Sequence, residues 1–410
     1  MPSTPPPLPF PPDAHSPGLN DEEDLRQLFT RYERPAPPRW RRYALHLLLF
    51  VITLTTTTLA GAEWITGKAF FLQGDALKLT GWLTKPEILG GLWFSLPFLG
   101  VLTVHEFGHY FTARHNQVRT TLPYYIPFFT GLFNTIGTFG AVIRIKDRIF
   151  SRREFFDIGL AGPLAGFLVA VPVLIYGFTH LPPLEYVFQI HPEYRVYGPE
   201  YVRHVYQQGN GLTLAKPLLY QGLEYLFADP TRLPHPNELM HYPMLLAGAL
   251  SLFFTALNLL PIGQLDGGHI LYGLLGFRRF NRLSAALFIG FIFYAGLGLF
   301  SLHSPLNTWL FWGIPYFLYL LLVFRRVLPQ PLQSVKLALG VLVAQLAATL
   351  AFPGLEGNPG WLVFGLLLGR VMGIYHPPAP DERPLSPGRK VLGWLMLVIF
   401  VLCFTPSPFK

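Results

Sequence analysis

The chain has 410 residues and a formal net charge of +8, and its balance of residue types is unusual: 51% are hydrophobic and only 13% are charged. Charged residues make up about a quarter of an average globular domain, so this chain carries roughly half the usual amount. Apolar surface in that proportion cannot be hidden in one soluble core. The composition therefore predicts a polytopic α-helical membrane protein surrounded by a lipid bilayer.

The positive charge does not indicate a nucleic-acid partner. Lys and Arg residues stand beside the apolar runs of the sequence, which is the pattern of cytoplasmic membrane flanks. The single cysteine, Cys403, excludes an intrachain disulfide and a cysteine-based metal site. It lies in an apolar run, and we expect it to be a structural residue of a helix.

The N-terminal stretch differs from the rest of the chain. Residues 1–38 contain eleven prolines, and they lack a basic segment followed by an apolar one, so they do not resemble a signal peptide. We predict a Pro-rich cytoplasmic tail over residues 1–42. Arg39, Arg41 and Arg42 precede the first apolar run and indicate that the N-terminus stays in the cytoplasm.

The apolar runs predict about nine transmembrane helices, each close to the roughly 20 residues that a bilayer requires. The last three are less sharply bounded than the others. The longest polar connection, residues 179–242, falls on the outer side by alternation. The predicted spans are 43–60, 89–114, 157–178, 243–261, 283–302, 306–324, 335–352, 359–375 and 390–405.

The segment between the second and third spans has a different pattern. Residues 118–138 are apolar but contain several prolines and glycines, and Phe139–Arg148 alternates in the period-two manner of a strand. Irregular backbone at membrane depth is tolerated only inside protein or along a cavity. We therefore predict a re-entrant loop and β-hairpin over residues 118–148. Basic residues support the cytoplasmic side: Arg144, Lys146, Arg148, Arg152 and Arg153.

The second span ends in a motif with metal chemistry. His105 and His109 are four residues apart, so on a helix they stand about 40° apart on one face. Their nitrogens can hold one tetrahedral ion, with Glu106 beside them as a base for an ion-bound water. Ionisable groups inside a membrane helix are costly, and this favours a functional role.

A catalytic zinc ion usually takes three protein ligands, so a third ligand must come from elsewhere. Asp266 fits best, because it follows the fourth span and glycines beside it allow the backbone to unwind and turn inward. It also approaches from the same cytoplasmic end as the histidines. His269 and Asp157 remain alternatives.

Taken together, these motifs resemble the site-2 proteases, which are zinc intramembrane metalloproteases. The resemblance covers about 90–275, and no PDZ-like domain is evident between the spans. The chain is therefore most similar to the PDZ-lacking branch, which includes plant and cyanobacterial relatives. The matching segments are His105-Glu106-Phe107-Gly108-His109, Gly137–Val142, Phe156–Pro163, Asn258-Leu259-Leu260-Pro261 and Leu265-Asp266-Gly267.

The resemblance implies a role for each residue of the motifs. His105, His109 and Asp266 would bind one Zn²⁺ per chain, and Glu106 would be the general base. Asn258 would hold the substrate or the developing oxyanion, and Pro261 would shape the helix break beside it. The alternating strand also offers an edge on which an extended peptide could pair. Its substrate-binding candidates are Phe139, Gly140, Ala141, Val142 and Ile143.

The function implied is a zinc metalloendopeptidase of the site-2 type that cleaves transmembrane segments in regulated intramembrane proteolysis. Residues 43–325 would form the metalloprotease domain, with a core at 89–275, and 326–410 would add C-terminal transmembrane helices. The alternative, a non-catalytic scaffold or ion-transport protein with a metal site, has no need of Glu106. The N-terminal composition is unlike a transit peptide, which favours the plasma (inner) membrane of a bacterium.

Overall fold

The structure, a computed structural model, describes residues 39–73, 76–206, 213–328 and 330–408. Most of the predicted N-terminal tail, residues 1–42, lies outside these ranges. The described chain is mostly helical. Its α-helices are α1 (Arg39–Thr66), α2 (Lys85–Gly90), α3 (Leu92–His115), α4 (Arg152–Thr179), α5 (Glu185–Ile190), α6 (Tyr201–Val205), α7 (Leu218–Phe227), α8 (Pro243–Leu259), α9 (Asp266–Leu275), α10 (Phe277–Ala295), α11 (Leu306–Phe324), α12 (Pro331–Ala351), α13 (Trp361–Met372) and α14 (Pro387–Cys403).

Five helices of the described ranges are long and apolar enough to cross a membrane: α1 from Trp40, the stretch Lys85–His115 that joins α2 to α3, α4, α11 and α12. Two shorter helices, α8 and α13, are also apolar. Only 22% to 44% of the most apolar window of each long helix is buried inside the protein. The remaining apolar surface needs lipid around it, so the chain is a multi-pass membrane protein.

The first helix is longer than the sequence predicts. We expected a span over residues 43–60, whereas α1 continues to Thr66. The hydroxyls of Thr58 and Thr66 donate to the carbonyl oxygens of Leu54 and Ala62, one turn earlier. Such bonds satisfy the hydroxyl groups within the helix, so polar residues near the end of the predicted span do not end the helix.

Two short antiparallel strand pairs accompany the helices: β1 (Leu72–Gln73) with β2 (Ala76–Leu77), and β3 (Tyr124–Pro127) with β4 (Thr138–Val142). In the second pair Tyr125 lies opposite Ala141, and the register shifts before Pro127. The strand predicted over Phe139–Arg148 was wrong beyond Val142. Further along, Ile145 makes only an isolated bridge to Thr120. Proline at 123 interrupts the partner segment, because its nitrogen has no hydrogen to donate to a ladder.

Helices α3, α4, α8 and α9 form the centre of the fold. Small residues permit the close approach of α3 to α4, as the small-residue string in the third predicted span indicates. A Cβ atom on Gly108 would lie 2.5 Å from the carbonyl oxygen of Ala161. A Cβ atom on Gly166 would lie 3.1 Å from that of His105. The face of α3 that carries the histidines is therefore pressed against α4.

A break in the helix follows α8. The helix ends at Leu259 and α9 begins at Asp266, and Gly263 between them has a φ of +61°, a conformation that favours glycine. The break places the first residue of α9 against α3. Beyond it, α10 to α13 form a second apolar cluster with a core that includes Phe288, Ile292 and Leu320. Helix α14 returns to the central core, where Cys403 is buried.

Candidate metal centre

The two histidines of α3 face each other across one turn of the helix. Their Nε2 atoms are 3.1 Å apart, and the side chains of both His105 and His109 are buried. The helical spacing alone accounts for this placement, since residues i and i+4 lie on one face. Two ring nitrogens at this separation can share one ion.

Asp266 reaches the same point from α9. Its Oδ2 atom lies 3.3 Å from Nε2 of His109 and 3.5 Å from Nε2 of His105. One ligand atom from each of the three residues lies within 4.8 Å of the others. The break in the helix between Leu259 and Asp266 comes directly before this contact.

The ring of His109 is oriented by the backbone of α4. Its Nδ1 atom lies 2.7 Å from the carbonyl oxygen of Ile158. A carbonyl oxygen can only accept, so Nδ1 carries the hydrogen and Nε2 keeps its lone pair for a metal ion. No side-chain motif in the sequence marks this partner, and sequence reasoning missed it.

Glu106 stands beside the cluster without being one of its three ligand atoms. The residue is buried, and Oε1 lies 4.0 Å from Nε2 of His105. The backbone of Ile143 lies close to the same carboxylate. The segment just after β4 therefore lies beside a carboxylate that is placed to act on a molecule bound at the histidines.

The donor set fits zinc. Two imidazoles and one carboxylate are a common catalytic zinc set, and three protein ligands leave a fourth position for water or substrate. Two ligands about 2.05 Å from one tetrahedral ion are about 3.3 Å apart. The three observed separations between donor atoms, 3.1, 3.3 and 3.5 Å, match that value closely.

The two alternative third ligands are engaged elsewhere. Asp157 receives two hydrogen bonds from the guanidinium of Arg389 on α14, at 2.7 and 3.0 Å. His269 has its Nδ1 atom 2.8 Å from Nε2 of His376. Of the three candidates, the structure brings only Asp266 to both histidines.

The remaining sequence candidates surround the cluster. The side-chain amide nitrogen of Asn258, on α8, lies 3.5 Å from Nε2 of His105, and Pro261 is half-buried in the helix break. On β4, Phe139 and Val142 are 63% and 50% exposed. Gly140 adopts a φ of +103°, which only glycine tolerates without strain. Ala141 and Ile143 are half-buried.

A glycine sets the position of the His109 ring. A Cβ atom on Gly162 would overlap the imidazole of His109 at three ring atoms. One turn earlier, a Cβ atom on Gly159 would lie 2.6 Å from Cβ of His269. The small residues of α4 therefore make room for histidines on two different helices.

Comparison with known proteins places this arrangement in a family. Residues 93–299 match Peptidase family M50, a segment that includes all three clustered residues and covers half of the chain. The chain belongs to Peptidase family M50. No solved structure matches it.

Several plant proteins are similar to this chain. The chain is 28% identical to "Probable zinc metalloprotease EGY1, chloroplastic" of Arabidopsis thaliana over 304 residues, and the match covers 71% of this chain and 48% of the relative. The protein of the same name from Oryza sativa subsp. japonica is 30% identical over 300 residues, 68% of this chain and 45% of the relative. "Probable zinc metalloprotease EGY2, chloroplastic" of Oryza sativa subsp. indica is 29% identical over 248 residues, which are 57% of this chain and 40% of the relative. The chain thus spans about half the length of these relatives.

Proposed function

We propose that this chain is a zinc-dependent intramembrane metalloendopeptidase that cleaves transmembrane segments of membrane proteins. The observation that carries the proposal is the convergence of His105, His109 and Asp266 beside the buried Glu106, in a chain whose helices are long and apolar enough to cross a bilayer. Membership in Peptidase family M50 and similarity to proteins named as zinc metalloproteases support it.

In the proposed site one Zn²⁺ per chain is held by His105, His109 and Asp266. When bound, it supplies a Lewis acid that polarises the scissile carbonyl and makes its water acidic. Glu106 takes the proton from the attacking water and delivers it to the leaving amine. The amide of Asn258 donates a hydrogen bond to the carbonyl oxygen as negative charge develops there.

We further propose that the substrate binds as an extended strand along β4. A transmembrane helix hides its backbone hydrogen bonds internally, so a segment must unwind before its carbonyl can be attacked. The closeness of the Ile143 backbone to Glu106 supports β4 as the docking edge. Phe139 to Ile143 lie along this edge, and Pro261 shapes the helix break beside the site. Prolines placed at alternate substrate positions test this, since only every second N–H pairs with one edge. Equal cleavage with prolines in either register would contradict strand pairing.

The proposed topology has nine transmembrane helices, with residues 118–148 as a re-entrant hairpin on the cytoplasmic side. The domain division is the one predicted from sequence: tail 1–42, metalloprotease domain 43–325 and C-terminal helices 326–410. Arg39, Arg41 and Arg42 support a cytoplasmic N-terminus. We assign the protein to the plasma membrane of a bacterium. The relatives are named as chloroplastic, and localisation of a tagged chain tests which compartment is correct.

The decisive experiment replaces Glu106 with Gln in the purified full chain and measures cleavage of a model transmembrane substrate. We expect cleavage to fall by about 100- to 10,000-fold, because a positioned general base contributes that much, while zinc content is unchanged. The matched control is Glu185→Gln, at an exposed position of α5, which should leave cleavage intact. Full cleavage by Glu106→Gln would reject the assigned base and favour the scaffold or ion-transport alternative.

A further inference from the structure

A second group of possible metal ligands lies far from the candidate metal centre. His191, Glu238 and His241 belong to the long connection between α4 and α8, and one ligand atom from each lies within 4.8 Å of the others. We call these three residues the loop cluster. The Nε2 atoms of the two histidines are 3.2 Å apart. Oε2 of Glu238 is 3.5 Å from Nε2 of His241 and 3.9 Å from Nε2 of His191.

The hydrogen bonds on the far side of each ring fix where its hydrogen lies. Nδ1 of His241 is 3.0 Å from the carbonyl oxygen of Ile65, at the end of α1, and Nδ1 of His191 is 3.2 Å from Oε1 of Glu193. Both partners are acceptors, so both Nδ1 atoms carry hydrogen. In the neutral rings, the two Nε2 atoms then face each other with lone pairs only.

Glu238 contributes a third lone pair to the same point. Its side chain is fully buried, and one oxygen, Oε1, accepts a hydrogen bond from the hydroxyl of Tyr206. The other oxygen, Oε2, receives no hydrogen bond from the described residues and points towards the two rings. A buried carboxylate oxygen without a donor is costly, and three converging lone pairs are stabilised by a cation or a proton between them.

The far-side bonds are those of a metal site. Histidines that bind metals usually donate their other ring hydrogen to a carboxylate or a backbone carbonyl, which fixes the ring and raises its basicity. Glu193 and Ile65 supply one partner of each kind. The ring of His191 also stacks on that of Tyr194, with centroids 4.5 Å apart, so its orientation is held on two sides.

We propose that His191, His241 and Glu238 bind one divalent transition-metal ion of the zinc class. Two imidazoles and one carboxylate suit zinc, and the 3.2 Å between nitrogens is close to the roughly 3.3 Å of two ligands on a tetrahedral ion. The ion holds the connection to the end of α1 through Ile65. It is a second ion, distinct from the one at the candidate metal centre.

The two sites are widely separated. Ile158, which orients His109, is near the start of α4, and the loop cluster belongs to the segment that follows the other end of the helix at Thr179. Thr179 is 21 positions after Ile158, which is about 31 Å along the helix at 1.5 Å per residue. One ion cannot serve both clusters, and each can be emptied without touching the other.

The first test is the metal content of the full-length protein, purified in detergent, saturated with Zn²⁺ and dialysed. We expect two zinc ions per chain in the wild type, one in His191→Ala/His241→Ala and one in His105→Ala/His109→Ala. The control, His204→Ala, changes an exposed histidine of the same connection and should retain two. The proposal is overturned if His105→Ala/His109→Ala binds none, or if His191→Ala/His241→Ala matches the wild type.

This design separates the loop cluster from the proposed function. If the candidate metal centre binds no zinc, the wild type holds one ion, which survives in His105→Ala/His109→Ala and is lost in His191→Ala/His241→Ala. Since His105→Ala/His109→Ala leaves the loop cluster intact, misfolding of the connection cannot produce a false result. A histidine protonated on both nitrogens in place of a metal ion predicts no zinc difference at the loop cluster, and so it refutes the proposal.

A second test uses a gentler change and a different measurement. Glu193→Gln keeps a hydrogen-bond partner near His191, and we expect zinc affinity at the loop cluster to fall about 10- to 100-fold. Trypsin should cut after the exposed Arg195 and Arg203 faster once the wild type is stripped with a chelator. The same treatment should have no effect on His191→Ala/His241→Ala. If trypsin cut the wild type at the same rate with and without the chelator, the proposal that a metal ion stabilises the connection would be contradicted.

Discussion

Two clusters of two histidines and one carboxylate are associated with opposite ends of the long helix α4: one beside Ile158 near its start, the other in the connection that follows its end at Thr179. Their nitrogen–nitrogen distances are almost equal, 3.1 and 3.2 Å, and in each a carbonyl oxygen orients one ring. Their neighbours differ. The candidate metal centre has Glu106 and the end of β4 beside it, whereas the loop cluster has the Tyr206 hydroxyl bound to its carboxylate.

If both clusters bind zinc, the difference would mean that donor geometry alone does not determine what a metal site does. Glu106 is a carboxylate in addition to the three donors, and a base of that kind is what hydrolysis needs. At the loop cluster, the Tyr206 hydroxyl donates to one oxygen of Glu238, and the ring of Tyr194 stacks on that of His191. Such neighbours stabilise a site without giving it a reaction. We therefore expect the first cluster to govern cleavage and the second to govern the stability of the connection.

The largest effect should come from Asp266→Asn. An amide carries no negative charge and is a weaker zinc ligand, so we expect cleavage to fall by more than the roughly 100-fold that loss of a supporting partner can cost. Zinc content should drop from two ions to one, because the loop cluster keeps its own. A variant that loses both ions would show that the two clusters depend on each other.

Gly162→Ala should have the next largest effect. The added methyl group overlaps the ring of His109, so the imidazole must move, and we expect cleavage to fall about 10- to 100-fold, in the range of other changes that reorient a ligand. The matched control is Gly100→Ala on α3, where a Cβ atom would have nothing within 4 Å. Equal cleavage rates for the two variants would contradict the close packing of the His109 ring against Gly162.

Glu238→Gln tests the other side of the comparison. It removes the charge from the loop cluster while preserving side-chain shape, so we expect zinc content to fall by one ion. Trypsin should then cut the connection at the same rate with or without a chelator. Cleavage of a model substrate, compared at equal folded protein, should stay within about two-fold of the wild type, because sites that share no partners act nearly additively. A large loss of cleavage would mean that the loop cluster takes part in catalysis.

The smallest effect is expected from Tyr206→Phe. Burial and the neighbouring Glu238 raise the pKa of Tyr206 well above its ordinary value, so the phenol keeps its hydrogen at all accessible pH values and donates it to Glu238. Removing the hydroxyl leaves a buried oxygen without its donor, which costs about 1–3 kcal/mol. Thermal unfolding of the purified protein measures this cost, and an unchanged midpoint would show that Oε1 finds another donor.

Much of the catalytic arrangement could be predicted from sequence because local spacing determines it. A spacing of four residues from His105 to His109 places both rings on one helical face in any α-helix. The glycines around Asp266 indicated a break, and the backbone does leave the helix between Leu259 and Asp266. A prediction from sequence succeeds where the spacing of residues along the chain directly determines their positions in space.

Other features leave no local pattern. The bond from His109 to Ile158 uses a backbone carbonyl, which every residue has, so the sequence cannot mark it. In the loop cluster, His191 meets a histidine 50 residues away, and the two lie beside or within 3₁₀ segments, which have no fixed ligand spacing. The strand after Phe139 was predicted too long, because alternation does not reveal that a proline interrupts the partner segment.

The ligands of the candidate metal centre also impose an order on its biosynthesis. His109 is on α3 and Asp266 is the first residue of α9, and 157 positions separate them in the chain. A ribosome that has released α3 into the membrane has delivered two histidines and Glu106, but not the aspartate. The nascent protein therefore carries an incomplete ligand set while α4 and α8 are being inserted, and it acquires the third ligand only after α8 has followed.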